Sequence, residues 1–242
     1  MKNIRIYQAG TLIVGEPISL DKSASNHLIR VLRLKNNQAF TLFNGEGGEF
    51  SCRLQISGKT AVTHIDSFIQ TENESPLNIH LFQGISKGER MDFAIQKAVE
   101  LGVHDITPVF CDRTVVNLKA DRLDKKRQHW QAIAISACEQ SGRNLVPKIN
   151  QPCSLEQALQ LNNENLKLML EPSSNTSLNK LTPDTTLFSL YIGPEGGFSD
   201  EEIIQAKQND VTGITLGPRI LRTETAALSA ITAIQLLWGD LG

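Results

Sequence analysis

Apolar and polar residues change rhythm near residue 72. Before that point short alternating runs recur at 39–43, 49–56 and 60–65, separated by the turn-forming strings Asn44-Gly-Glu-Gly-Gly48 and Ser57-Gly58. Each run predicts a half-buried strand, and the opening Met1-Lys-Asn-Ile-Arg-Ile-Tyr7 alternates in the same way. One helix is predicted near residues 22–33. The stretch Gln70-Thr-Glu-Asn-Glu-Ser-Pro76 is polar, has no apolar period and ends in proline, which marks it as a linker. Beyond it, apolar runs at 78–85, 105–110, 166–170, 187–192 and 211–216 alternate with helical stretches. That order predicts an α/β domain with a mostly parallel sheet. The expected division is therefore a small β-rich domain over 1–72 and an α/β domain over 73–242.

The helices follow from spacing. Met91, Ala94, Ile95, Ala98 and Leu101 recur at three to four residues and stop at Gly102, predicting an amphipathic helix over 87–101 with a glycine at its end. Trp130, Ile133, Ala134, Ala137 and Cys138 make the apolar stripe of a second helix over 122–141. The run 225–238 is apolar on more than one face, so it must be covered by the sheet and by either another helix or a second subunit. A helical reading of Asn26-His-Leu-Ile-Arg-Val-Leu-Arg-Leu-Lys35 places Arg30 and Arg33 on one face and Leu28 and Leu32 on another.

Composition narrows the class. With 242 residues, 40% of them apolar, and no apolar run long enough to span a bilayer, no membrane partner is expected. The N-terminus lacks the long apolar stretch of a secretory signal, which makes the cytoplasm the expected compartment. Four cysteines and five histidines are scattered without a paired spacing, which argues against a disulfide framework and against a metal site. Net charge is −2, yet from Arg113 to Lys148 eight Lys or Arg (Arg113, Lys119, Arg122, Lys125, Lys126, Arg127, Arg143 and Lys148) stand against three acids. Such a run is either a solvated helix face or a surface for a polyanion.

The most specific features lie near the C-terminus. Ile192-Gly-Pro-Glu-Gly-Gly-Phe-Ser199 and Leu216-Gly-Pro-Arg-Ile-Leu-Arg-Thr-Glu-Thr-Ala226 each leave a predicted buried strand and enter a predicted helix. Strand ends of this kind are where α/β sheets bind ligands. Ser199 with Glu202 reads as a capping box, and Thr223 reads either as a ligand-facing group or as an N-cap. Arg222 opposes the dipole of the helix it precedes, which a capping role does not explain. Three glycines and a buried-looking Glu195 exceed what a turn needs. Nucleophile-elbow, Walker, zincin and dinucleotide-binding motifs are absent.

These two loops resemble the cofactor loops of the SPOUT methyltransferases, in particular the RsmE family, which methylates N3 of a uridine in small-subunit ribosomal RNA. Arg5-Ile-Tyr7, Asn26-His-Leu-Ile-Arg-Val-Leu-Arg33, Gln96-Lys-Ala-Val-Glu-Leu-Gly102 and Ala137-Cys-Glu-Gln-Ser-Gly-Arg143 are similar to segments of that family in the same order. The resemblance implies an N-terminal PUA-like barrel, a C-terminal SPOUT-type α/β domain with a deep trefoil knot, S-adenosylmethionine held in the knot, and a homodimer. Periodicity alone points to a plain doubly wound sheet. The implied partner is 16S ribosomal RNA or the small ribosomal subunit, with Arg5, His27, Arg30, Arg33 and Arg143 as RNA contacts. Rival readings are a transfer-RNA methyltransferase and a catalytically silent RNA-binding module.

On the same resemblance, Leu170, Ile192, Gly193, Glu195, Gly196, Gly197, Leu216, Gly217 and Leu221 are expected to hold the cofactor. Uridine N3 is a poor nucleophile until its proton leaves and charge spreads onto the flanking carbonyl oxygens. Arg222 is the expected stabiliser of that charge. Glu224 is the expected partner that orients Arg222 or takes the proton, with Glu195 as the alternative.

Overall fold

The computed structural model describes residues 4–58, 60–71, 73–116 and 120–242, apart from the side chains of residues 120 and 121. Lys119 of the basic run lies outside them. The chain forms two compact units, one made of residues through Glu74 together with Cys138–Val146, the other of Ser75–Ala137 and Pro147–Gly242.

The first unit is a five-stranded sheet. Its strands are β1 (Arg5–Tyr7), β2 (Pro17–Ser19), β3 (Ala39–Phe43), β4 (Glu49–Ser57) and β5 (Thr60–Ile69), in the order β1-β3-β4-β5-β2. The predicted alternation is real: Phe50, Cys52 and Leu54 of β4 point into a core with Leu42, Ile65 and Ile6, while Arg53 and Gln55 face out. Between β2 and β3 lies helix α1 (Lys22–Asn26), capped by Asp21, whose carboxylate accepts from the Ala24 amide at 2.8 Å.

The helical reading of 26–35 is corrected here. After Asn26 the backbone widens into a π turn, His27–Val31, where the Leu32 amide donates five residues back to His27 at 2.9 Å. Arg33 then adopts φ +54. The i, i+3 pairing of Arg30 with Arg33 does not form, and Leu32 is exposed. The physical reason is that the wide turn and the left-handed residue let Leu34, rather than Leu32, follow Leu28 into the core. A left-handed non-glycine residue costs about 1–2 kcal/mol, and burial of a leucine side chain offsets a cost of that size.

The second unit carries β6 (Asn78–Gly84), β7 (Asp105–Phe110), β8 (Lys148–Ile149), β9 (Cys153–Ser154), β10 (Leu166–Leu170), β11 (Leu187–Ile192) and β12 (Thr212–Ile214). All pairs are parallel, in the order β12-β10-β11-β6-β7-β8, with β9 also on β7. The strand predicted over 211–216 is shorter because the Thr215 amide turns away to bond Thr176 O at 2.9 Å. Helices α2 (Glu89–Glu100), α3 (Ala120–Ser141), α4 (Leu155–Leu159), α5 (Asp200–Gln208) and α6 (Thr223–Trp238) connect and cover the sheet. Gly102 ends α2 with φ +87, a conformation glycine adopts without steric cost. Met91, Ala94, Ile95 and Ala98 are its buried stripe.

Helix α6 packs on α2 and β11. Ala226, Ala227, Ala230, Ile231 and Ile234 are buried, and Gln235 donates to Leu101 O at 3.0 Å and accepts from Ser75 at 2.8 Å. Leu236 and Leu237 remain exposed. No helix among the described residues is long and apolar enough to cross a membrane.

Candidate active site

Four strands end side by side, and the loops that leave three of them enclose one cavity of about 350 Å³. The first loop follows β11, the second follows β12, and a third, Glu171-Pro-Ser173, follows β10. All lie at the carboxyl ends of parallel strands, where helix N-termini and free amides face a ligand.

The first loop is held tightly from several sides. The Gly197 amide closes a turn onto Pro194 O at 2.9 Å, with Gly197 at φ +70. A β-carbon on Gly196 would sit 2.9 Å from Cβ of Arg113, whose guanidinium donates to Gly196 O at 3.0 Å. At the end of β6, a β-carbon on Gly84 would lie 2.7 Å from the Gly193 carbonyl carbon, so the strand and loop touch backbone to backbone. The capping box forms as predicted: Ser199 accepts from the Glu202 amide at 3.2 Å and Glu202 from the Ser199 amide at 2.8 Å. Ser199 also donates to Asp112 at 2.6 Å.

Glu195 corrects an expectation. It stands in an exposed part of the loop rather than buried, accepting from the Lys87 amide and from Arg90, each at 3.0 Å. Partial burial works against its charge, but these donors outweigh it and hold its carboxyl below the usual range.

Thr223 joins the loops. Its hydroxyl donates to Gly193 O at 2.6 Å and accepts from Gln83 of β6 at 2.9 Å. Its backbone is not the N-cap of α6; Arg222 holds that place, with no side-chain cap. The alternative of Thr223 as a mere cap is thereby closed. A buried polar pair of this kind was beyond sequence reasoning, because Gln83 is 140 residues away.

Leu170, Ile192, Gly193, Glu195, Gly196, Gly197, Leu216 and Leu221 all line the cavity. Gly217, at φ +75, shapes the second loop without lining it. Arg222 is exposed and Glu224 partly buried, one residue either side of the cavity-lining Thr223, and neither lines the cavity itself. One carboxylate oxygen of Glu224 is buried without a hydrogen-bond partner. Glu171, Ser173 and Phe198 line the wall as well without having been expected there, and so does Arg113, which the sequence marked only as part of the basic run.

The arginines and the histidine expected to touch RNA lie in the first unit. Arg30 and Arg33 are exposed, and His27 faces Glu139 at 3.9 Å. Arg5 and Arg143 are engaged inside the unit. Arg5 pairs with Glu49 and donates to Asn144 at 2.6 Å, and Arg143 pairs with Glu74 at 2.7 Å. The cysteines are unpaired, and burial raises the thiols of Cys52 to about 11 and of Cys138 to about 12, leaving both protonated at neutral pH.

Comparison with known proteins agrees with this geometry. The RNA methyltransferase domain family matches residues 73–235, and the RNA methyltransferase PUA domain family matches residues 20–65. Ribosomal RNA small subunit methyltransferase E of Buchnera aphidicola (subsp. Schizaphis graminum) is 41% identical, with 98% of this chain and 97% of that protein covered. The Bacillus subtilis protein of the same name is 34% identical, with 89% and 90% covered. Among solved structures, a Legionella pneumophila protein described as a methyltransferase with bound SAM is 42% identical at a TM-score of 0.97, each chain covered in full. The Neisseria gonorrhoeae ribosomal RNA small subunit methyltransferase E, bound to S-adenosyl methionine, is 42% identical at 0.93, covering 99% of this chain and 100% of that one. The chain therefore belongs to the ribosomal RNA small subunit methyltransferase E family of RNA methyltransferases.

Proposed function

We propose that this protein transfers the methyl group of S-adenosylmethionine to N3 of a uridine in 16S ribosomal RNA. The observation that carries this reading is the single cavity enclosed by three strand-end loops, in a chain 42% identical to a structure that holds that cofactor. The residues fit the group. The cavity offers apolar walls from Leu170, Leu216 and Leu221 for an adenine ring, and glycine backbone at 193, 196 and 197 for close approach. At Gly196 a β-carbon would collide with Arg113, so the loop cannot carry a side chain there without shifting.

When bound, the cofactor supplies an already activated methyl group. The chain's own residues then have to bind, orient and exclude water, aligning the acceptor at roughly 3–3.5 Å. Arg222, at the start of α6, stabilises the imide anion of the deprotonated base. Glu224 orients Arg222 or takes the proton, and its unpartnered buried oxygen leaves acceptor capacity for this. Uridine N3 lies on the pairing edge, so the target base must be unpaired or flipped out.

The same reading extends to the rest of the molecule. Residues 1–72 act as a PUA-like barrel that binds RNA through His27, Arg30 and Arg33, with Arg5 and Arg143 bracing that surface from inside. Residues 73–242 act as the catalytic domain, knotted at the three loops, and the protein works in the cytoplasm as a homodimer. Mass spectrometry of 16S ribosomal RNA from cells with and without the gene tests the activity. Loss of one N3-methyluridine on deletion is the expected result; an unchanged modification profile overturns the proposal.

A further inference from the structure

One carboxylate in the cavity wall is unused by the steps above. Glu171 follows β10 at its carboxyl end, is buried, and lines the cavity. Its amide donates to Ile214 O at 2.9 Å, which fixes the backbone against β12. Oε1 accepts from Ser173 Oγ at 2.8 Å and faces Lys207 Nζ at 3.4 Å. Oε2 takes no hydrogen bond from any described residue and packs against Gly213, where a β-carbon would overlap it. Glycine inside a strand weakens the strand, so its presence at 213 marks a close approach, here by this side chain.

In the cavity wall that oxygen keeps free acceptor capacity for a ligand. An ionised carboxylate only accepts, so the missing partner is a donor. S-adenosylmethionine offers three kinds: the neutral hydroxyl pair of its ribose, the neutral amino group of its adenine, which the apolar walls of Leu170, Leu216 and Leu221 already claim, and the cationic ammonium of its methionyl end, beside the charged sulfonium. Lys207 already balances the charge of Glu171, which leaves acceptor capacity rather than net negative charge. We propose that Glu171 receives the ribose hydroxyls of the cofactor and so makes the cavity selective for a ribonucleoside; this rests on the reading of the cavity as the cofactor site.

The test is calorimetry on the full chain with S-adenosylmethionine, S-adenosylhomocysteine and the 2′,3′-dideoxy analogue of the latter. Wild type is expected to bind the dideoxy compound about tenfold to a hundredfold more weakly than its parent, the range for losing hydrogen bonds to a charged group. Glu171→Ala is expected to weaken both natural ligands by that same factor and to leave the dideoxy compound unaffected. Gly213→Ala, which displaces the carboxylate without removing it, is expected to act in the same direction and carries the test if Glu171→Ala does not fold. Equal binding of dideoxy and parent compounds by wild type overturns the proposal. A loss confined to S-adenosylmethionine also overturns it, because the carboxylate would then serve the sulfonium. If wild type binds none of the three, the cofactor site itself is misassigned.

Discussion

At the scale of single residues, the two glycine loops of the cavity wall were legible because each leaves an apolar run, enters a helical pattern and resembles a known pair of cofactor loops. What Gly196 avoids was not legible, since Arg113 is 83 residues away. Gly196→Ala places a β-carbon 2.9 Å from the Arg113 side chain and is expected to weaken S-adenosylmethionine binding about tenfold while the melting temperature changes little; unchanged affinity by calorimetry counts against the loop assignment. Arg222→Ala is expected to leave cofactor binding intact and lower the single-turnover methylation rate on the order of 10² to 10³-fold, as for loss of one preorganised charge stabiliser. A wild-type rate under saturating conditions removes its catalytic role. His80 reports on the core instead. Burial, against an opposing pull from Asp105, pushes its pKa down to about 4, and it is held between Thr107 at 2.7 Å and Asn162 at 2.6 Å. The unfolded chain then binds the proton more readily, so stability is complete above about pH 6.5 and falls as pH drops towards 4. Between pH 7.5 and pH 5, urea unfolding of wild type is expected to lose roughly 2 kcal/mol more than His80→Gln. Equal losses would show that His80 titrates normally.

At the scale of elements, strands and long helices followed their periods, because each period of 2 or 3.6 residues maps onto one buried face. The π turn at His27–Val31 did not. Its apolar residues fit a regular helix equally well, and the choice is made by which leucine the core accepts. Arg30, within it, and Arg33, just after it, are expected to act independently rather than as one face. Replacing both Arg30 and Arg33 by alanine is expected to reduce the salt dependence of RNA binding by about two units of slope, and either alone by about one. A slope that stays at the wild-type value places the RNA elsewhere. Helix α6 shows the reverse case, where the pattern correctly demanded burial on several sides but left open what supplies it. Helix α2 and the sheet cover one part, and Leu236 and Leu237 are uncovered.

At the scale of the whole molecule, those leucines and the 86% exposed Ile220 in the second loop are the basis for expecting a dimer. Sedimentation at micromolar concentration is expected to show two copies, and Leu236→Asp with Leu237→Asp is expected to yield monomers that remain folded. Monomeric wild type refutes the assembly. The sequence by itself determined the class of the fold, the strands and helices with strong periods, the two glycine loops and the family they resemble, because these depend on local propensity and on motifs contiguous in the chain. Only the tertiary structure decided that Thr223 ties Gly193 to Gln83, that Glu171 turns its carboxylate into the cavity wall beside Gly213, and that Arg5 and Arg143 are spent on internal ion pairs. Each of these joins residues far apart in the chain. Which polar groups meet there is set by how the strands stack side by side, and no local pattern records it.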